Sequence, residues 1–221
     1  MQQFPGKQQL RLAILTGVAF LIVGCSAAPT RVSSQPEAGV AAKPARVEVQ
    51  DEVGFTIVED ATIDAAVRLD YDRAHQLLLQ GRTQDGIDLL QTVAAAAPNL
   101  SAPHIDLGIA YHGEGDLEAA EAQLKQALDI NPAHPVALNE LGIVYRKTAR
   151  FTQARQSYQA ALDVYPGFHY ARRNLGVLCD LYLADLDCAV ENYEAYMATV
   201  DSDDEAALWL KNARFRAGQV E

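Results

Sequence analysis

The chain has 221 residues, 49% of them hydrophobic and 21% charged, with 29 acidic against 18 basic residues and a formal net charge of −11. That apolar content is enough to build a core, which excludes a chain disordered throughout, and the acidic balance excludes a nucleic-acid backbone as partner, because such contacts rest on lysine and arginine. Beyond residue 61 alanine and leucine are abundant and β-branched residues sparse, so the expected class is all-α, one domain with tails.

Residues 1–11 carry Lys7 and Arg11 and no acid, residues 12–24 (LAILTGVAFLIVG) are mostly apolar, and Cys25 follows. This is the layout of an export signal. As a helix the apolar stretch rises about 20 Å, short of the ~30 Å hydrocarbon core, so residues 1–24 read as a cleaved signal peptide and not as a spanning helix. Ile22-Val23-Gly24-Cys25 resembles the lipobox of bacterial lipoproteins. The resemblance implies cleavage after Gly24, a thioether-linked diacylglycerol on Cys25 and a palmitate-type acyl chain on the new amino terminus. A plain signal peptide cut within Ser26-Ala27-Ala28 is the alternative. Ser26 where that family's inner-membrane members carry aspartate implies export to the outer membrane, with the chain on its periplasmic face. Several acyl chains, at ~0.8 kcal/mol per buried methylene, anchor stably. Residues 25–60 then form the acylated terminus and a flexible Ala, Pro and Ser-rich tether, with a short extended piece expected over 53–60.

An offset of 34 residues aligns the rest of the chain with itself. It pairs Leu107 with Leu141, Gly108 with Gly142, Tyr111 with Tyr145, Ala120 with Ala154, Ala127 with Ala161 and Pro132 with Pro166. These types at these spacings resemble the tetratricopeptide repeat, in which small residues let two antiparallel helices approach and a proline ends the second. The resemblance implies a right-handed α-solenoid with repeats at 101–134 and 135–168. A degenerate repeat at 61–100 has Arg73 in the usual leucine position. In a fourth, at 169–201, Ala189 and Tyr193 fall one residue late relative to Ala154 and Tyr158, which implies a one-residue insertion. Residues 202–218 read as a capping helix, opened by Ser202 or Asp203 and closed near Gly218. Its stripe of Ala206, Trp209, Leu210 and Ala213 is expected to cover the last hairpin, with Leu208 and Phe215 off that stripe.

No nucleophile, phosphate loop or metal-ligand spacing is present, so no enzyme, cofactor or metal is expected. The glycines of GEGD (113–116) join two helices and read as a turn, and the five histidines are scattered over the repeats. In the repeat family the first helix of each unit lines a concave surface. Carried onto the matching positions, this gives Arg68, Tyr71, Asp72 and His75; Ile105, Asp106, Ile109 and His112; Asn139, Glu140, Ile143, Arg146 and Lys147; and Tyr170, Arg173, Asn174, Val177 and Asp180. An apolar floor of Ile109, Ile143 and Val177 would lie beside Asn139, Arg146, Tyr170, Arg173 and Asn174, a set suited to hold a peptide. The alternative is that these polar groups only solvate the inner face. The lysine and asparagine set of the chaperone-tail carboxylate clamp is absent, with Ile105 and Ile109 at two of its positions.

The resemblances together imply a membrane-anchored periplasmic scaffold that binds protein or peptide segments of a cell-envelope complex. A lipoprotein assembling type IV pilus secretins is a narrower alternative, and a structural lipoprotein self-associating through Leu208 or Phe215 another. The lipoprotein resemblance also places the domain in an oxidising compartment and assigns Cys25 to lipid, which implies a Cys179–Cys188 disulfide. Two free thiols are the alternative.

Overall fold

The computed structural model describes residues 46–50, 54–59, 63–200 and 202–219. The signal segment, Cys25 and most of the tether lie outside the described residues. Those described form a β-hairpin, β1 (Arg46–Gln50) and β2 (Gly54–Val58), followed by helices α1 (Ala65–Leu79), α2 (Thr83–Ala96), α3 (Ala102–Glu114), α4 (Leu117–Ile130), α5 (Pro135–Lys147), α6 (Phe151–Val164), α7 (His169–Leu178), α8 (Leu186–Met197) and α9 (Asp204–Arg216). A π-helical turn, Cys179–Leu183, extends α7. Among these residues no helix is long and apolar enough to cross a membrane.

The helices start where the sequence offers an acceptor for orphan amides. Asp64, Asp116, Asp185 and Asp203 each receive an N–H from the first turn of the helix they precede, and Pro135 and Pro103 sit in first turns where a missing N–H costs nothing. Within each pair the chain reverses through one left-handed residue: Gly81, Gly115, Ala149 and Ala184, at intervals of 34, 34 and 35 residues. The last interval carries the extra residue, and the π-helical turn absorbs it. The carbonyl of Cys179 accepts the amide of Asp185 at 2.9 Å, six residues on, so the chain gains a residue without turning α8 away from α7.

In the second, third and fourth pairs a glycine on the first helix lets a large side chain of the second lie against bare backbone; in the first pair the roles swap, with Gly86 of α2 meeting Leu78 of α1. A Cβ on Gly142 would stand 2.5 Å from Cε1 of Tyr158, and one on Gly176 2.7 Å from the Tyr193 ring. Both tyrosines are fully buried, and with Leu141, Val144, Leu162, Leu175 and Leu178 they form the core over the third and fourth pairs. A smaller cluster around Ile87, Leu90 and Leu107 serves the first two.

The hairpin departs from the sequence expectation, which left residues 46–52 in the tether. Its strands pair antiparallel from Arg46 opposite Val58 to Gln50 opposite Gly54. Val47, Glu48 and Val49 alternate in character, but five such residues have no core of their own and depend on the helices for a surface. Phe55 supplies the docking, packed edge-on against Tyr165 at 5.3 Å and Phe168 at 5.5 Å. Four residues later the Glu59 carboxylate accepts the amide of Ser101 at 2.9 Å and also its hydroxyl.

His134, 7% exposed, opens α5, its Nδ1 accepting the Ala137 amide at 3.4 Å. That role needs a neutral ring, and burial holds the imidazole down at about 4. The unfolded chain, with a pKa of ~6.5, therefore binds a proton that the folded chain resists, and stability falls as pH drops from ~6.5 toward 4. Between pH 7 and 4.5 this group is expected to remove about 2–3 kcal/mol. In denaturant melts at the two pH values, His134→Asn, which keeps a capping side chain, should lose correspondingly less than the parent.

Candidate functional site

The first helix of every pair faces the same side of the array. Contacts join α3 to α5 and α5 to α7, and at the other end the Tyr71 hydroxyl of α1 donates to Asp106 of α3. The residues expected on the concave face, Ile105 excepted, are thereby brought together in three differing environments.

At the α1–α3 end His75 Nε2 lies 3.0 Å from Asp106 Oδ2, and the Tyr71 ring stands edge-on to His75. Burial raises the Asp106 pKa, while the Tyr71 and His75 bonds pull it down. All three groups are spent on one another, which makes this a joint between helices. Ile105 is not on the groove at all: it is buried with Ala127 and Ala137.

In the middle, Asn139 is only 3% exposed. Its Oδ1 accepts Asn174 Nδ2 at 3.0 Å and its own Nδ2 donates to Glu140 Oε1 at 3.0 Å. Burial raises the Glu140 pKa against that single amide bond. Asn139 therefore ties α5 to α7, while Ile109, 41% exposed, and Tyr170, 59% exposed, present apolar area to solvent. Ile143 and Val177 are half-buried, their inner sides packed on the core.

Toward α9 the site is cationic. The Arg146 guanidinium lies 5.8 Å from the Tyr182 ring centroid, and its Nε is buried without an acceptor among the described residues. Arg173 stacks over Trp209 at 4.8 Å. Asp180 is held by Arg216 at 2.5 Å and by the Tyr193 hydroxyl at 3.5 Å. The His112 Nε2 is a second buried atom lacking a partner among the described residues; burial, then Lys147 and Arg146, hold its pKa below the usual histidine range. Two wall residues escaped the sequence reading. Trp209 was expected as a core anchor and is half-buried, one side on Tyr193 and the other under Arg173. Tyr182 sits on the π-helical turn, outside the positions carried over from the repeat family to the concave face.

Behind this end, Cys179 and Cys188 place their sulfurs 2.08 Å apart with Cα atoms separated by 5.9 Å. Asp185 beside them caps α8 and pairs with Arg155 at 3.1 Å. Its carboxylate and the two sulfurs lie within 4.8 Å of one another.

Two family models, both described as tetratricopeptide repeat, match residues 64–135 and 111–175. The chain belongs to the tetratricopeptide-repeat family. No curated protein matches the sequence. Among solved structures, MamA from Desulfovibrio magneticus RS-1 is 20% identical with a TM-score of 0.63, over 72% of this chain and 89% of that one. Pseudomonas aeruginosa PilF is 19% identical with a TM-score of 0.63, over 70% of each chain. A thermophilic repeat protein of Thermus thermophilus, TTC0263, is 23% identical with a TM-score of 0.58, over 67% of this chain and 81% of that one. At these identities the likeness concerns the fold.

Proposed function

We propose that this protein is an adaptor held on the periplasmic face of the outer membrane by lipid on Cys25, and that its concave groove receives a segment of a cell-envelope protein. The observation that carries the binding role is the groove itself. Exposed Ile109 and Tyr170 lie on the same face as two arginines, over a floor fixed by the Asn139–Asn174 bond. Such a surface suits an extended or helical peptide, with aliphatic area for an anchor and fixed donors for its polar groups. The lipobox-like Ile22-Val23-Gly24-Cys25 and the apolar run before it support the anchor. The Cα separation of 5.9 Å falls in the range a Cys179–Cys188 disulfide requires, and such a bond would fit an oxidising compartment.

A photo-crosslinking residue at Ile109 or Tyr170 is expected to capture envelope proteins in cells, and one at Lys125 of α4, 54% exposed by its side chain, to capture none of the same species. Equal capture from Lys125 would sink the groove assignment. Cys25→Ser should move the protein from the outer-membrane fraction to the soluble periplasm; a variant still sedimenting with the outer membrane would show that lipid on Cys25 is not the anchor. Alkylation followed by mass spectrometry should label neither Cys179 nor Cys188 before reduction and both after it. Reduction is then expected to lower unfolding stability by about 2–3 kcal/mol, the loop-entropy value for so short a ring.

A further inference from the structure

Between α5, α7 and α9 the groove deepens into a cavity of about 200 Å³, lined by Arg146, Arg173, Asn174, Val177, Asp180 and Trp209 among others. Its charges do not cancel. Asp180 is engaged by Arg216. Arg173 reaches Glu205 at 3.9 Å, but that carboxylate is 69% exposed, and a pair so loose and wet contributes little. Among the described residues Arg146 has no carboxylate within 4.0 Å, and its Nε finds no acceptor at all. Lys147 and Arg146 lie close enough to the unpartnered ring nitrogen of His112 to help burial hold its pKa down. A buried guanidinium N–H left unpaired carries a desolvation penalty that an incoming acceptor removes. The ligand must therefore bring acceptor atoms and negative charge.

Size narrows the choice. At ~30 Å³ per water the cavity holds the equivalent of about six or seven waters, below the ~300 Å³ at which small-molecule pockets begin. That is room for one acidic side chain and its methylene stem, with Val177 and the Trp209 ring as walls for the stem. Ile143 and Ile109 belong to the same concave face on α5 and α3, so a segment passing along it presents a side chain here and not its end.

We infer that this cavity is a specificity pocket for a glutamate or aspartate side chain of the protein segment held in the groove, an inference that rests on the groove reading above. The carboxylate accepts from Arg146 and Arg173 and supplies the charge that no described residue gives Arg146.

Trp209 is the only tryptophan of the chain, so intrinsic fluorescence of the purified full-length protein reports on the cavity. The probes are an acetylated, amidated pentapeptide with a central Leu-Glu-Leu and its Leu-Gln-Leu counterpart. The glutamate peptide is expected to give a saturable change, weakened by added salt, and the glutamine peptide to bind at least about tenfold less tightly. Arg146→Gln is expected to remove that difference and Arg146→Lys to restore part of it, with circular dichroism melts showing both variants folded. Equal affinity for the two peptides, or discrimination surviving in folded Arg146→Gln, would overturn the inference. So would a saturable response to the glutamine peptide carrying a free C-terminal carboxylate that matched the glutamate peptide. Persistent crosslinking from Ile109 alongside any of these results would leave the groove standing and remove only the acidic pocket; loss of crosslinking with peptide discrimination intact would do the reverse.

Discussion

The array depends on a missing side chain. At Gly142 and Gly176 the backbone of one helix is bare, and the aromatic ring of its partner fills the space where a Cβ would stand. That contact fixes how closely the two helices of a pair approach. The approach sets the angle between pairs, and the stacking of pairs brings α3, α5 and α7 onto one face. Interiors at crystal-like density do not yield to an added methyl group, so the spacing is a hard constraint and not a preference. The groove exists because each pair is this thin.

At the π-helical turn the repeat is broken and repaired. An extra residue in a helical hairpin rotates everything after it by about 100° unless it is taken up locally, given 3.6 residues per turn. Here the wide turn takes it up, Ala184 reverses the chain in the left-handed region, and Asp185 caps the next helix as Asp116 does two repeats earlier. The repair leaves Asp180 and Tyr182 bordering the groove and holds Cys179 within 5.9 Å of Cys188. π-Bulges are found disproportionately at functional sites, because the inserted residue re-aims side chains that a regular helix would have hidden.

The solenoid was legible in the sequence because its constraints recur: a glycine, a large residue to fill it and a proline, each at 34-residue intervals, repeat the same packing problem. The one-residue slip was legible by the same frame, though not the form it takes. What escaped were features made once. The first strand has only Val47, Glu48 and Val49 to signal it, and its stability lies in Phe55 meeting an aromatic pair more than a hundred residues away. Position within the repeat put Asn139 and Ile105 on the concave face, but Asn139 is consumed by an amide bond to its neighbour and Ile105 sinks into the core away from the groove. That no described carboxylate reaches Arg146 and that its Nε lacks an acceptor among the described residues are invisible in sequence, since both depend on where every nearby acidic side chain has gone.

The hairpin has a mechanical consequence. Helical solenoids flex like springs, widening or narrowing their inner face as successive turns separate. Here Phe55 grips the turn before α7 while Glu59 grips the turn before α3. Only three residues separate those two grips, four steps of chain with a reach of about 13 Å at ~3.3 Å per step. The same edge of the second and fourth pairs is thus on a short leash, and any stretch that parts those turns further must first break an aromatic contact or a carboxylate bond. A spring strapped along one edge bends mainly about that edge, so the strap assigns the groove a hinge side and a free side.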